Sequence, residues 1–273
     1  MGSHFCGRKW AMTMKNPQFL KAARLVRFTI MAGPLRDVAI RFIQARSRNV
    51  PLETCDKSIF PDLDLAAMAD RLERDGYTPG LRLPRDLVDT LQAFYSDSTP
   101  TPYSNPHVSC PAMRAVTHDP NLVALARLYL GVEPILHSTH IWRTRAGSWN
   151  KHGNRFHFDV ADFKSLVVFF YLSDVGPGSG PHVVIKGTQR RKSFPQLLNP
   201  YKSDEEAASR FGDRVELVLG PKGTGFCEEQ TIFHKALPPL SARLTFAIIY
   251  TLRRPPKWRK APLSPEENRS VSE

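Results

Sequence analysis

A histidine and an aspartate two residues apart, His157 and Asp159, directly precede one of the most apolar runs of the chain, FKSLVVFFYL. On a strand, residues at this spacing point to the same face, so both side chains can reach one ion. The H-x-D tripeptide is common, and a third ligand gives it weight: His234 ends the segment QTIFH, and a rolled sheet can bring it beside the pair. Two histidines and one carboxylate form a facial triad that leaves positions open on Fe(II) for O2 and a bidentate co-substrate. The alternative is a pair at a strand end that hydrogen-bonds locally.

Arg243 and Thr245 begin the apolar segment RLTFAIIYTL and are also two residues apart. A buried arginine here can hold the distal carboxylate of 2-oxoglutarate bidentately, and the Thr245 hydroxyl on the same strand face can add a hydrogen bond. The alternatives are an arginine in a structural ion pair and an ordinary strand threonine. The preferred hypothesis is a co-substrate site beside the metal.

Other titratable residues near the predicted strands are expected to be structural. His140, His152 and His182 have no carboxylate at the same-face spacing. The adjacent Glu228 and Glu229 could suggest acid-base chemistry. As neighbours on a strand they point to opposite faces, so we predict no catalytic role for either.

The secondary structure predicted to position these residues changes from helices to strands after Glu133. Before it, apolar periodicity and capping residues predict helices over 65–75, closed by Gly76, over 85–94, and from the N-cap Asp119 to Gly131. The Pro- and Ser-rich segment 96–112 is typical of an irregular loop or lid. After Glu133, strands are predicted in ILHSTHIWR, FKSLVVFFYL, HVVIKG, VELVLG, GTGFC, TIFH and RLTFAIIYTL, with a helix near 204–211. This order favours an α+β fold with a jelly-roll or barrel core and helices packed outside it.

Three blocks, FHFDVADFKSLVVFFYLSDVGPGSGPHVVIKGTQ, GPKGTGFCEEQTIFHKALPP and RLTFAIIYTL, resemble the phytanoyl-CoA dioxygenase-like family of Fe(II)/2-oxoglutarate oxygenases. A weaker resemblance in LERDGYTPGLRLPRDLVDTLQAF extends the likeness over residues 65–252. The resemblance implies a double-stranded β-helix, His157, Asp159 and His234 as metal ligands, and Arg243 on 2-oxoglutarate. Relatives that halogenate replace the carboxylate with Gly or Ala, so Asp159 favours hydroxylation of a C–H bond, with release of succinate and CO2.

The sequence departs from the family pattern at two places. Gly187-Thr188-Gln189 stands where Gly-Ser-His is common, and EEQT precedes His234 where an acidic-Thr pair is common. These differences concern the surroundings of the metal ligands, and the ligands themselves are unaffected.

The first fifty residues are strongly basic. Residues 1–48 contain ten Lys and Arg against one acid, Asp37, and RRPPKWRK adds a second basic cluster at 253–260. Periodicity predicts two amphipathic helices broken at Gly33-Pro34, with one apolar face formed by Phe19, Ala23, Val26 and Ile30 and the next by Leu35, Val38, Ala39 and Phe42. We therefore predict an extension over 1–50 and a single oxygenase domain over 51–273.

The amino-acid composition limits the kinds of protein that this chain can be. The 273 residues are 41% hydrophobic and 23% charged, and their formal net charge is +12. No window approaches a membrane-spanning length of apolar residues. The cysteines Cys6, Cys55, Cys110 and Cys227 lack C-x-x-C spacing and are interpreted as free thiols in a reducing compartment. Aromatic residues are too sparse in the basic clusters for a nucleic-acid platform, and we expect a cytoplasmic protein.

Two functions from different classes follow. The first is a dioxygenase that uses Fe(II), 2-oxoglutarate and O2 on a small-molecule substrate, for which the basic N-terminus favours an anionic or lipid-linked compound. The second is a catalytically idle, metal-binding jelly roll that docks on a membrane or an acidic partner through residues 1–50. Because a suitable residue stands at each position expected to bind the metal or the co-substrate, the enzyme is the preferred hypothesis.

Overall fold

The computed structural model describes residues 35–46, 57–95, 103–150, 152–190 and 192–254, together with Val26, Thr29, Ile30, Ala32 and Gly33. Most of the first predicted amphipathic helix, Cys6 and Cys55 lie outside the described residues. Cys110 and Cys227 are buried free thiols, as predicted. Among the helices that the structure describes, none is long and apolar enough to cross a bilayer.

Helices dominate the first half of the described chain, and their caps explain where they begin and end. Asp64 accepts a hydrogen bond from the backbone N of Ala67, and Asp119 accepts one from Leu122. Gly76 and Gly131 end their helices with φ of 71° and 69°, a conformation that glycine adopts without strain. The helices are α1 (Arg36–Gln44), α2 (Leu65–Asp75), α3 (Arg85–Phe94), α4 (Pro111–Thr117), α5 (Pro120–Leu130), α6 (Phe194–Leu198) and α7 (Asp204–Phe211).

The strands form two antiparallel sheets. They are β1 (Tyr77–Arg82), β2 (Tyr103–Ser104), β3 (Ile135–Thr144), β4 (Ser165–Tyr171), β5 (His182–Ile185), β6 (Val215–Val218), β7 (Thr224–Glu229), β8 (Phe233–Ala236) and β9 (Arg243–Thr251). The larger sheet has the order β1-β7-β4-β9-β3-β2, and the smaller has the order β6-β5-β8. The predicted mixture of helices and antiparallel strands is confirmed.

The larger sheet separates a helical layer from the interior between the sheets. In β9 the even-numbered residues, such as Phe246 and Ile248, pack in the main core with α2 to α5. The odd-numbered residues, such as Ala247 and Ile249, line a cavity on the opposite face. This period of two follows from the strand pleat, and it sets which residues of RLTFAIIYTL can reach a ligand.

The smaller sheet covers the cavity face of the larger one. Val184 of β5 packs with Tyr171 of β4 and Phe226 of β7 in a cluster between the sheets. The ring centroids of Phe169 and His182 are 5.2 Å apart, so β4 and β5 are in contact. The cavity therefore lies between two facing sheets.

The predicted irregular loop at 96–112 is partly wrong. Residues 96–102 lie outside the described residues, but Tyr103 and Ser104 pair with Ile141 and His140 of β3. The backbone N of Asn105 donates to Thr139 O at 2.7 Å, and α4 begins at Pro111. Backbone pairing with β3 fixes this Pro-rich stretch, so its composition predicted too much irregularity.

The apolar face predicted for α1 exists but is largely exposed. Leu35, Val38 and Phe42 are 67%, 64% and 56% exposed, whereas Arg36 and Ile40 are buried. Arg36 turns inward because its guanidinium lies 3.4 Å from the buried carboxylate of Glu229 and its Nε donates to Phe163 O. A buried ion pair, which periodicity cannot reveal, sets the orientation of this helix.

Candidate metal centre

The predicted ligands His157 and His234 are partners in a backbone bridge between two segments that are distant in sequence. The N of His157 donates to His234 O at 2.9 Å, and the N of His234 donates to His157 O at 2.8 Å. His234 lies in β8, while His157 lies in an extended segment outside the named strands. The bridge places the two imidazole rings 4.5 Å apart between their centroids.

The Asp159 carboxylate completes the predicted trio. Its Oδ2 lies 3.7 Å from Nε2 of His157 and 3.7 Å from Nε2 of His234. Because donor atoms sit about 2 Å from a transition metal, atoms up to about 4 Å apart can share one ion. The backbone N of Asp159 donates to Gln230 O at 3.0 Å, which fixes the Asp159 backbone against the turn between β7 and β8.

Backbone carbonyls orient both imidazoles for coordination. Nδ1 of His157 lies 2.8 Å from Arg155 O, and Nδ1 of His234 lies 3.1 Å from Ile232 O. A carbonyl only accepts hydrogen bonds, so each Nδ1 carries the proton and each Nε2 presents a lone pair. This is the usual arrangement of histidines that bind metals.

The electrostatics of the trio favour a charged carboxylate. Burial alone would raise the pKa of Asp159, but His152, His157 and His234 around it bring the pKa well below its usual value. Burial likewise opposes the charged form of His157, and the Asp159 carboxylate outweighs that effect and raises the His157 pKa. An anionic oxygen thus faces two nitrogen atoms in a site that can hold a divalent cation.

Arg243 and Thr245 lie on the same face of β9, as predicted. Arg243 is buried, its Nη1 donates to Gly180 O, and burial lowers its pKa. Among the described residues, Arg243 Nε and Thr245 Oγ1 have no hydrogen-bond partner although both are buried. Unpaired buried donors are costly, and a carboxylate at this position would satisfy both.

A cavity of about 490 Å³ joins the two groups. Its lining includes His157, Asp159, His234 and Arg243, so the metal and co-substrate candidates open into the same space. The walls and rim also include Trp142, Arg143, Ser148, Asn150, Asn154, Val167, Phe169, Lys235, Ala247 and Ile249. The size and the mixture of apolar and polar residues suit a small organic molecule.

The buried pair Glu228 and His182, beside the trio, was not predicted from the sequence. Glu228 and Glu229 point to opposite faces of β7, as predicted, but Glu228 lines the cavity. Its Oε2 lies 2.8 Å from Nε2 of His182. Burial raises the pKa of Glu228 to about 7 and lowers that of His182 to about 3. The prediction of a structural role for His182 rested on the lack of a carboxylate at the same-face spacing in its own strand, and the carboxylate partner comes from another strand.

His152, for which a structural role was predicted, also has a carboxylate neighbour. Its Nε2 lies 3.7 Å from Oδ1 of Asp159, and its ring centroid is 4.1 Å from that of His157. His152, His157 and Asp159 form a group whose ligand atoms are close enough to hold a metal ion. His152 lies before the bridged segment, so strand spacing gave no indication of this contact. His140 bonds to the hydroxyls of Ser104 and Ser138, a structural arrangement that matches the prediction.

The departures at Gly187-Thr188-Gln189 affect how β8 is held. The Thr188 hydroxyl accepts a hydrogen bond from the N of Phe233 at 2.9 Å, next to His234. Gln189 donates from Nε2 to Glu73 O of α2 and accepts from the Thr231 hydroxyl through its backbone O. These residues therefore support the segment that carries His234.

No family model matches the sequence, and no curated protein matches it. Several solved structures do. EctD from S. alaskensis with 2-oxoglutarate and 5-hydroxyectoine is 19% identical, with a TM-score of 0.55 over 80% of this chain and 92% of that chain. EctD with bound Fe is 21% identical, with a TM-score of 0.54 and the same coverage. EvdO2 from Micromonospora carbonacea var. aurantiaca complexed with 2-oxoglutarate is 12% identical, with a TM-score of 0.52 over 67% of this chain and 89% of that chain. At these identities the likeness shows a shared fold, and membership of the phytanoyl-CoA dioxygenase-like family stays a prediction.

Proposed function

We propose that this protein is a non-haem Fe(II)- and 2-oxoglutarate-dependent dioxygenase that hydroxylates a C–H bond of a small molecule and releases succinate and CO2. One observation carries the proposal. Two imidazole Nε2 atoms converge on one carboxylate oxygen, and the same cavity is lined by a buried arginine whose Nε has no partner among the described residues. Among the described residues, neither Nε of Arg243 nor the hydroxyl of Thr245 has a hydrogen-bond partner, and a structural role for the trio explains neither absence.

The donor set fits Fe(II). His157 and His234 would hold the ion through Nε2, and Asp159 through Oδ2, which leaves other positions for exchangeable ligands. When bound, Fe(II) and 2-oxoglutarate supply the oxidising chemistry with O2 as the oxidant. The carbonyls of Arg155 and Ile232 keep the imidazoles in the required tautomer without any rearrangement.

Arg243 would bind the distal carboxylate of 2-oxoglutarate. The Gly180 carbonyl accepts from Nη1 and so anchors the guanidinium, which leaves Nε for the ligand. The Thr245 hydroxyl, on the same strand face, adds a second donor. A fixed arginine selects a dicarboxylate over a neutral molecule. A neutral molecule would leave N–H groups of the buried guanidinium without an acceptor, which costs binding free energy.

The substrate would bind in the remainder of the cavity. Trp142, Phe169 and Ile249 offer apolar contact, which favours a substrate with an apolar portion near the metal. The strongly basic residues 1–48 favour an anionic or lipid-linked molecule, while Asp204 neutralises Lys235 at the cavity. We expect the substrate to be small because the whole cavity measures about 490 Å³.

We also propose that the two facing sheets form a double-stranded β-helix of the phytanoyl-CoA dioxygenase-like kind. The bridge between His157 and His234, together with the two antiparallel strand orders, supports this finer assignment. The shared fold with EctD and EvdO2 is consistent with it.

The experiment is to measure succinate formation with Fe(II), 2-oxoglutarate and O2, using a panel of anionic and neutral small molecules. We expect slow succinate release without substrate, faster release with a true substrate, and loss of both in Asp159→Ala. In Arg243→Met the concentration of 2-oxoglutarate that gives half-maximal succinate release should rise by roughly 100-fold or more, as expected for loss of a charged bidentate contact. Succinate release that is unchanged in Asp159→Ala would refute the proposal.

One observation favours a second candidate function, docking on an anionic membrane. The exposed residues Leu35, Val38 and Phe42 lie along one side of α1, and Arg41 and Arg46 are also exposed there. Such a helix can bind at a lipid interface. Co-sedimentation with vesicles that contain anionic lipid tests it: binding should fall with added salt and be lost in Phe42→Asp. Binding that is equal for neutral vesicles would contradict it.

A further inference from the structure

The two oxygens of the Asp159 carboxylate face different histidines. Oδ2 lies 3.7 Å from Nε2 of His157 and of His234, whereas Oδ1 lies 3.7 Å from Nε2 of His152. The side chains of His152 and Asp159 are 43% and 44% exposed, so this contact lies at the open side of the site. The carboxylate is thus divided between the predicted ligands and a third imidazole.

The partners of Nδ1 distinguish His152 from the other two histidines. Carbonyl oxygens hold the Nδ1 protons of His157 and His234, which frees Nε2 for a metal. Nδ1 of His152 instead lies 2.8 Å from the hydroxyl of Tyr201. A phenol can donate to that nitrogen, and the imidazole proton then resides on Nε2, which faces the acceptor Oδ1 of Asp159.

Local hydrogen bonds hold His152 in this place. The side-chain Oδ1 of Asn150 accepts from the N of His152 at 2.9 Å and from the N of Gly153 at 3.2 Å. The side chain of Asn154 donates to Ala236 O of β8, which ties the same turn to the strand that carries His234. These bonds hold the turn together and join it to β8, which carries His234.

We propose that His152 is a positioning residue: its Nε2–H attracts Oδ1 of Asp159 across the 3.7 Å between them, so that Oδ2 alone faces the metal. Tyr201 sets the tautomer of His152, and the chain Tyr201–His152–Asp159 keeps the carboxylate monodentate. A monodentate carboxylate leaves one more position on the ion for co-substrate or O2. This inference rests on the proposed function and adds to it a residue that does not coordinate the metal.

The test measures Mn(II) affinity by electron paramagnetic resonance in His152→Ala, His152→Gln and Tyr201→Phe. Because outer contacts to metal ligands are worth about 10- to 100-fold in affinity, His152→Ala should weaken binding by about that factor. His152→Gln should recover most of the loss, since its amide can donate to Oδ1, and Tyr201→Phe should give an intermediate value. His118→Gln, at an exposed histidine outside the cavity, is the matched control and should bind as the wild type does.

X-ray absorption at the iron edge of the anaerobic Fe(II) form counts the histidine ligands. We expect the same count in the wild type and in His152→Ala. A count that falls by one in His152→Ala would make His152 a ligand and overturn the inference, as would unchanged Mn(II) affinity in His152→Ala. Failure of the wild type to bind any metal would instead refute the proposed function, and with it the inference. Thermal unfolding of the metal-free variants checks that each is folded.

Discussion

His157 and His234 exchange both of their backbone hydrogen bonds, at 2.9 and 2.8 Å, across a single antiparallel bridge. Their side chains consequently leave the backbone on the same side, which sets the rings side by side without help from any ligand. The site is therefore preformed by the backbone, and a substitution that moves either segment should disturb metal binding even when the imidazoles remain.

Gly180 should be intolerant of a side chain. Its φ is 66°, and an added Cβ would lie 2.7 Å from Leu237 O. Gly180→Ala should cost about 1–3 kcal/mol of stability and weaken 2-oxoglutarate binding, because the Gly180 carbonyl anchors Arg243. Gly176→Ala in the same turn is the control, since an added Cβ there meets nothing within 4 Å. Urea denaturation and 2-oxoglutarate titration measure both effects; equal behaviour of the two variants would contradict the expectation.

Arg36 should be essential for stability although it lies in the predicted N-terminal extension. It is buried against Glu229, and breaking a buried pair from one side typically costs about 3–5 kcal/mol. Arg36→Met should therefore lower the free energy of unfolding by about 3 kcal/mol, and adding Glu229→Gln should recover part of the loss. Arg41→Met removes an exposed arginine from the same helix and should change little. A similar denaturation midpoint for Arg36→Met and Arg41→Met would show that the pair contributes nothing.

The free energy of unfolding should decrease as the pH falls, and the buried His140 should account for part of this decrease. Burial, with a contribution from His137, lowers the pKa of His140 from 6.5 to about 4. Between these values the unfolded chain binds a proton that the native protein does not, so stability decreases as the pH falls from 6.5 towards 4. His140→Gln should make this decrease smaller, and His118→Gln should not. Urea midpoints at several pH values compare them, and an identical pH profile for wild type and His140→Gln would count against the buried, neutral imidazole.

The sequence predicted the helices α2, α3, α5 and α7 well, because their ends are determined locally, whereas α4 and α6 were not predicted. Asp119 and Gly131 mark the two ends of α5 through a side-chain cap and a left-handed glycine. β1 was missed because Pro79 and Gly80 disfavour a strand; it forms an edge of the larger sheet, with an irregularity between Pro79 and Leu81.

The site was predicted where strand periodicity applies and missed elsewhere. His157 and Asp159, and Arg243 and Thr245, are pairs two residues apart, and the structure places each pair as the spacing indicated. His152 contacts Asp159 from a turn outside the named strands, and Glu228 contacts His182 of another strand. The packing of the turn that carries His152, and of the two sheets against each other, creates these contacts, which strand spacing does not reveal.

Anaerobic calorimetric titration with Fe(II) tests whether His157, Asp159 and His234 form a metal site. We predict one ion per chain in the wild type, and affinity weakened by more than about 100-fold in His157→Ala, Asp159→Ala and His234→Ala, because a lost ligand costs more than a lost outer contact. His118→Ala should bind as the wild type does. A wild-type protein that binds no Fe(II), or single variants that retain its full affinity, would show that these three residues do not form the metal site.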